Sequence, residues 1–453
     1  MFEANTAVIL VVCLVGLVVL GVHIAIALGI TSALGIWLVT GANFYAFGAV
    51  QKMLAATAYE AIRAYVFAVI PLFMLMGEFI GRSGTVTDVY RGINRLLSKV
   101  PGRLAIATVM GNALFSFVTG VSIASAAAFS RIAYPEMKRF GYDKGFALGT
   151  IAGSSCLGML IPPSVLMIVW GILTEQSIGQ LFAAGVLPGL LLAVFFILYV
   201  FIRAIINPEL VGGGAAAVDP AEVEPEEEIS TGQFLISFAG ILLVIVAVLG
   251  GIWFGVFTPT EGAGAGAFIG LMLGIIKGMR LRDIIDAILN VGRTSAPILL
   301  LLVTAALYSR TLAMTGMANA IEGLFIGSGM EPWMIITVMV IIWFLLGMII
   351  DSISIMLLTA AIFAPIAVKL GMDPIAFAIV GIIAIEAGLY TPPFGLLVYT
   401  VKSAIQNIEP DMNVMTIFKS STAYWIIMLL AMIVIINYPE IATYLPRVLF
   451  PPI

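Results

Sequence analysis

Residues 154–167 read SSCLGMLIPPSVLM, and residues 386–399 read EAGLYTPPFGLLVY, each inside a long apolar run. Proline removes a backbone donor and clashes with the preceding helical turn, so each pair, with its upstream glycine, breaks a helix and frees carbonyls. The two breaks are not independent. At one offset of 230 residues Pro162-Pro163 match Pro392-Pro393, Gly158 matches Gly388, Asp143 matches Asp373, Gly141 matches Gly371, Pro135 matches Pro365 and Ser122-Ile123 match Ser352-Ile353. A shared, gap-free register over these positions marks an internal repeat.

The surrounding composition makes this a membrane problem. Hydrophobic residues are 62% of the chain and charged residues 10%, and the apolar runs, about 20 residues long, suit a hydrocarbon layer of roughly 30 Å. Spans are expected near 7–22, 24–40, 64–80, 145–172, 180–204, 233–256, 263–278, 294–310, 375–400 and 420–437. The first is read as a retained span, because it lacks a basic flank and a small-residue cleavage site. Segments 104–132 and 333–364 carry TGVSIAS and IIDSIS at their midpoints, which suits hairpins that dip to mid-membrane and return. Irregular backbone survives there only where protein or water covers it.

Charge sets the orientation. With the loop 131–144 placed in the cytoplasm, that side holds 16 of the 21 Lys and Arg, leaving Lys52, Arg63, Arg310, Lys369 and Arg447 outside, in keeping with the positive-inside rule. The mouth of the first hairpin then faces the cytoplasm and that of the second, near 365–374, faces outward, so the repeats are inverted. Residues 208–232, with seven acidic and no basic side chains, read as a solvated linker. Segment 86–102 sets Val89, Ile93, Leu96, Leu97 and Val100 against Arg91, Arg95 and Lys99, the pattern of a helix lying on the cytoplasmic membrane surface, or equally of a packed connecting helix. Glu78 and Arg82 suit a structural i,i+4 pair. Glu261, after Thr260, suits the cap of the helix that follows.

Broken helices facing hairpin tips offer carbonyls, hydroxyls and helix N-termini near the bilayer centre, the way inverted-repeat secondary transporters hold ions and substrate. Other functions lack their signatures. There is no HExxH, no Walker motif and one histidine, His23, so an enzyme and ATP-driven transport by this chain are not expected. Cys13 and Cys156 lie in apolar segments, which disfavours a disulfide or metal site. No large basic face is available for nucleic acid.

The motifs carry a family resemblance. IPLFMLMGEFIGRSG (70–84), GVSIASAAAF (120–129), YPEMKRFGYDKGFA (134–147), LGMLIPPS (157–164), SIGQLFAAGVLPGLLL (177–192), GVFTPTEGAGAGA (255–267) and GLYTPPFGLLV (388–398) resemble the large membrane subunit of tripartite ATP-independent periplasmic (TRAP) transporters. The first hairpin tip reads TGVS where the family often has SGSS. The resemblance implies an all-α integral membrane protein of the ion-transporter superfamily type: an inverted-repeat elevator with two re-entrant hairpins and two broken helices. It implies sodium-driven import of organic acids (C4-dicarboxylate, sugar acid, keto acid or sialic acid) across the bacterial inner membrane. The partners would be a small four-span subunit and a periplasmic binding protein. A standalone Na+ or H+ symporter of similar architecture is the alternative.

By resemblance, Thr119, Ser164 and Asp351 are candidates for substrate contact. Ser122, Ser352, Ser354 and Thr391, with backbone around Gly120, Gly158, Pro162, Gly388 and Pro392, are candidates for sodium. An ionisable side chain at membrane depth is functional by default, so Asp351 is expected to weigh more than Glu386, which lies one turn before the second break at the register position of Cys156. The expected organisation is a scaffold with an amphipathic arm (1–103), the first transport half (104–206), the linker (207–232), a second scaffold part (233–332), the second transport half (333–400) and a C-terminal span and tail (401–453).

Overall fold

The computed structural model describes residues 2–41, 46–213 and 230–451. Among them the fold is built from helices, with a single isolated bridge between Tyr142 and Val211. The first half contains α1 (Phe2–Val19), α2 (Ile24–Val39), α3 (Ala46–Arg63), a 3-10 turn (Tyr65–Ala68), α4 (Val69–Arg82) and α5 (Thr85–Leu96). It continues through α6 (Arg103–Thr119), α7 (Ser122–Arg139), α8 (Lys144–Ser155), the single turn α9 (Leu157–Leu160), α10 (Val165–Thr174) and α11 (Ile178–Ile206). The second half opens with α12 (Thr231–Ile245), which runs through a π turn (Val246–Gly250) into α13 (Gly251–Trp253). There follow α14 (Pro259–Ile276), α15 (Leu281–Thr315), α16 (Met317–Ile326), α17 (Pro332–Gly347), α18 (Ser352–Lys369), α19 (Pro374–Gly388), α20 (Leu396–Ala404), α21 (Val414–Asn437) and α22 (Glu440–Leu449). Eight helical stretches among the described residues are long and apolar enough to cross a membrane.

The repeat runs much further than its proline and glycine markers. In chain order α1 corresponds to α12, α2 to α14, α3 and α4 to successive halves of α15, α5 to α16, α6 to α17, α7 to α18, α8 to α19, α10 to α20 and α11 to α21. Packing partners exchange between the halves. Helix α4 packs on α14 as α2 packs on α15; α10 packs on α18 as α20 packs on α7; α8 packs on α21 as α19 packs on α11. Intertwined repeats related by a pseudo-two-fold axis produce this pattern.

Local chemistry sets the matched boundaries. Asp143 accepts from the Phe146 amide at 2.8 Å to cap α8, and Asp373 accepts from the Ile375 and Ala376 amides at 2.9 and 3.2 Å to cap α19. Each follows a glycine at positive φ, Gly141 (70°) and Gly371 (80°), which ends the preceding helix without a Cβ clash. Residues Gly145–Ser155 of α8 and Ala376–Gly388 of α19 are buried throughout. A helix apolar on all faces belongs inside the protein, so the broken helices form the centre and hairpins and long helices surround them.

Several expectations are revised. The expected span at 294–310 begins too late, because α15 is continuous from Leu281 to Thr315 and buries Ala287, Val291 and Ser295 at a spacing of four. Helices α3, α16 and α22 lie outside the expected spans. Helix α5 packs as a connecting helix: its Val86, Val89, Tyr90 and Ile93 are buried against α6 and α12, and it ends at Leu96, which is 74% exposed. Gly92 leaves room there for the Phe234 ring of α12, while Asp88 meets Lys277 and the Ser237 hydroxyl donates to Asp88 at 2.7 Å. Glu261 takes part in the cap of α14 as expected, with Thr258 as the N-cap residue: the Thr258 hydroxyl accepts from the Glu261 amide at 3.3 Å, and the Thr258 amide donates to Glu261 at 2.8 Å. That reciprocal pair needs a three-residue spacing. Glu78 and Arg82 form the expected pair at 2.6 Å. Linker residues 214–229 lie outside the described residues.

Candidate functional site

The first hairpin turns at Gly120 and Val121, between α6 and α7. Gly120 has φ 62°, and a Cβ there would lie 2.4 Å from the Pro163 carbonyl oxygen. Its own carbonyl accepts from the Val165 amide at 3.1 Å. A Cβ on Gly158 would stand 3.0 Å from the Val121 carbonyl. The tip therefore sits inside the first break, the extended stretch Ile161–Ser164 that contains the cis Pro162–Pro163 bond. Ser164 ends that stretch and caps α10, donating to the Met159 carbonyl at 2.5 Å.

The second hairpin repeats the arrangement. Phe394, beside the cis Pro392–Pro393 bond, donates its amide to the Met348 carbonyl at 3.2 Å. Gly347 and Gly388 meet backbone to backbone: a Cβ on Gly388 would lie 2.4 Å from the Phe344 carbonyl and 2.7 Å from the Gly347 Cα. Thr391 donates to the Ala387 carbonyl at 3.1 Å. Asp351 caps α18, accepting from the Ser354 amide at 3.0 Å and the Ser354 hydroxyl at 2.5 Å.

The two hairpins converge on one side chain. Glu386, in the last turn of α19, is 1% exposed, and its Oε1 accepts from the Ser352 hydroxyl at 2.8 Å. The Ser122 hydroxyl faces the same carboxylate, yet neither Ser122 Oγ nor Glu386 Oε2 completes a hydrogen bond. Ser122 and Ser352 are register equivalents, so one carboxylate addresses the start of the inner helix of both hairpins. The register equivalent of Glu386 is Cys156, which lies beside Tyr390. Tyr390 donates across to the Gly153 carbonyl at 3.3 Å, joining the two broken helices.

A cleft of about 760 Å³ separates this assembly from α4 and α15; Gly77, Glu78, Arg82, Thr119, Arg131 and Asn290 line it. The missing Cβ of Gly77 would approach the Thr119 Cα at 3.0 Å, so α4 and the first tip touch at its inner end. Beyond the end of α20, Glu409 sits between Lys138 at 2.7 Å and Lys144 at 2.8 Å. The two ammonium groups hold its carboxyl far below the usual range, at about 2.

The candidate residues thus fall into four groups. Ser122 and Ser352 meet at Glu386; Gly120, Gly158, Pro162, Gly388, Thr391 and Pro392 build the two tip-to-break seams; Thr119 lines the cleft while its hydroxyl donates to the Phe115 carbonyl at 3.1 Å. Ser164 and Ser354 already donate locally, and Asp351 faces Ser354. Gly77 and Gly347 carry no chemical signal in sequence and emerge only from backbone contact. The weight of Glu386 was hidden too, because its partners lie 34 and 264 residues away.

Residues 11–441 match the family described as tripartite ATP-independent periplasmic transporter, DctM component. The C4-dicarboxylate TRAP transporter large permease protein DctM of Pseudomonas aeruginosa is 31% identical over 87% of this chain and 90% of its own length. The ectoine TRAP transporter large permease TeaC of Halomonas elongata is 27% identical over 98% and 99%. The sialic acid permease SiaM of Vibrio cholerae is 27% identical over 80% and 81%. Among solved structures, the Alcanivorax borkumensis YdaH transporter shares the fold with a TM-score of 0.64 at 13% identity, covering 87% of this chain and 89% of that one.

Proposed function

Since the chain belongs to the TRAP transporter family as a DctM-type large permease, we propose that it imports an organic acid by sodium-coupled elevator transport across the bacterial inner membrane. It works with a small four-span membrane subunit and takes its substrate from a periplasmic binding protein. The observation that carries this reading is the seating of both hairpin tips in both helix breaks at the buried centre, beside a cleft that reaches the scaffold. Backbone oxygens around Gly120, Gly158, Pro162, Gly388 and Pro392, with the hydroxyls of Ser122, Ser352, Ser354 and Thr391, form the oxygen-rich surroundings that suit Na+. Thr119 opens on the cleft, with Ser164 and Asp351 at the edges of the same seams, and these three are assigned to the substrate.

An acidic substrate fits the relatives. C4-dicarboxylates, ectoine and sialic acid, for which they are named, all carry a carboxylate. Arg131 supplies positive charge in the cleft, where Arg82 is paired with Glu78. The hairpins, α8–α10 and α18–α20 form the moving body, while α4, α14, α2 and α15 pack on one another as the scaffold.

The test is uptake by proteoliposomes holding the permease, the small subunit and the binding protein charged with its acid. Uptake is expected to collapse when choline replaces Na+ at fixed pH, and to be slight with the permease alone. Unchanged uptake in choline would rule out sodium coupling, and strong uptake by the lone chain would favour a standalone symporter.

A further inference from the structure

A second cavity, of about 490 Å³, lies on the side assigned to the cytoplasm and touches neither hairpin tip nor either break. Its walls are the loop Ser98–Gly102 between α5 and α6, the end of α11 at Ala204 and Ile205, and the turn that runs from Pro208 to Gly213. These segments are pinned to one another. A Cβ on Gly102, which has φ 74°, would stand 3.0 Å from the Ala204 Cβ, and the Asp143 amide donates to the Leu210 carbonyl at 3.0 Å. The Leu104 amide at the start of α6 is already served by the Tyr142 hydroxyl at 3.2 Å, so the character of the cavity comes from its side chains.

Those side chains are basic. Lys99 and Arg103 line the cavity and no acidic residue does; Glu209, on the same turn, is exposed and outside its wall. The Arg103 guanidinium rests 5.0 Å from the Phe140 ring, and among the described residues neither it nor Lys99 has an ion-pair partner. Arg139, 5.3 Å from the same ring, is held by Glu136 at 3.9 Å. Two uncompensated positive charges in one cavity on the basic side of a membrane suit an anionic phosphate. The apolar neighbourhood decides which phosphate. Along α11, Leu190, Val194, Leu198, Ile202 and Ile206 recur every four residues and are 44–67% exposed, and Ile205, also exposed, lines the cavity. The stripe is about 24 Å long, more than the roughly 15 Å depth of one leaflet, and it ends on the basic cavity.

We propose that this cavity is a headgroup site for an anionic phospholipid of the cytoplasmic leaflet, with Lys99 and Arg103 on the phosphate and the α11 stripe under the acyl chains. Free phosphate shares the charge but has nothing to lay on the stripe. A lipid seated there joins the α5–α6 connection to α11. The site needs the chain to lie in a bilayer with its basic side in the cytoplasm; neither sodium nor the organic acid enters it, so it stands or falls apart from the transport reading above.

The test is the melting temperature of the full permease with its small subunit in neutral detergent, titrated with dioleoyl phosphatidylglycerol or dioleoyl phosphatidylcholine. Phosphatidylglycerol is expected to raise it saturably and phosphatidylcholine to leave it in place. Lys99→Gln with Arg103→Gln is expected to move half-saturation about 30-fold higher, the effect of two basic contacts near the membrane surface. Lys52→Gln with Arg63→Gln, an equal loss of charge at exposed positions on the side assigned to the exterior, is expected to leave the titration unchanged. Should the double variant at 99 and 103 fail to fold, Lys99→Glu decides alone, because Lys99 is exposed; it is expected to weaken the lipid at least about fivefold. Absence of any shift, an equal shift with phosphatidylcholine, or a phosphatidylglycerol titration unchanged by these variants at 99 and 103 would overturn the proposal. Millimolar inorganic phosphate reproducing the shift would make this a soluble-anion site and overturn it too. So would a response seen only once the acidic residues of the linker are neutralised, which would give the cavity to the linker.

Discussion

Gly388 is the position where the architecture is least forgiving. A Cβ there would stand 2.4 Å from the Phe344 carbonyl oxygen and 2.7 Å from the Gly347 Cα, whereas real Cβ atoms essentially never come closer than 3.0 Å. Gly388→Ala must therefore part the second hairpin from its broken helix by about 0.6 Å, the difference between the limit and the carbonyl contact. Both walls are backbone, so no side chain can swing aside. Overpacking of a rigid site costs about 1–3 kcal/mol, and the upper half of that range corresponds to about 30- to 150-fold in the population of the seated tip. Na+-dependent initial uptake at matched membrane abundance is expected to fall by at least about tenfold. The register partner Gly158→Ala, with its nearest backbone at 3.0 Å, is expected to be milder. Gly264→Ala in α14, with nothing within 4 Å, serves as the neutral control. A Gly388→Ala protein that transports and melts like Gly264→Ala would refute the seated-tip geometry.

Two further outcomes follow from side chains around the site. Asp351→Asn keeps an equally good helix cap and removes only the charge, so the melting temperature is expected to hold while Na+-dependent uptake drops several-fold; Asp351→Ala loses about 0.5–2 kcal/mol of cap as well. Full uptake by Asp351→Asn would take Asp351 out of the site. Glu409 ionises at about 2 rather than its usual 4.5, so its hold on Lys138 and Lys144 is complete above 4.5 and lost as pH falls toward 2. Glu409→Gln at neutral pH is expected to speed amide hydrogen exchange in residues 405–413, and unchanged exchange would show that the clamp contributes nothing.

The sequence displays its repeat only where backbone geometry dictates residue type. Pro162-Pro163 and Pro392-Pro393, Gly141 and Gly371, and Asp143 and Asp373 are held by breaks, positive φ and caps that few other residues satisfy. Helices α1 and α12 correspond just as closely in order, yet their lipid-facing positions need only be apolar, so no shared letters report them. The span expected at 294–310 falls short, because Arg282, Asp283, Asp286 and Arg293 interrupt the apolar run before it; the stripe Ala287, Val291, Ser295 carries the helix through them. The arm α5 shows the complementary limit, since an amphipathic stripe states that something apolar covers it but not whether that is lipid or α12. At the site, Ser122 and Ser352 were legible as hairpin tips, whereas their meeting at Glu386 depends on tertiary packing that no local pattern encodes.

The most direct test of elevator transport is the accessibility of the first hairpin tip from each side of the membrane. Thr119 lies in the cleft shared with Arg82 and Arg131, on the side assigned to the cytoplasm. Thr119→Cys, with Cys13 and Cys156 replaced by serine, would be treated with a membrane-impermeant thiol reagent from either face of oriented vesicles containing the full complex. Labelling from the cytoplasmic face is expected in the absence of substrate-loaded binding protein. A shift to labelling from the opposite face is expected when Na+ and the loaded binding protein drive the domain across. Reaction from one face only, under every combination of Na+, substrate and binding protein, would contradict a moving transport domain.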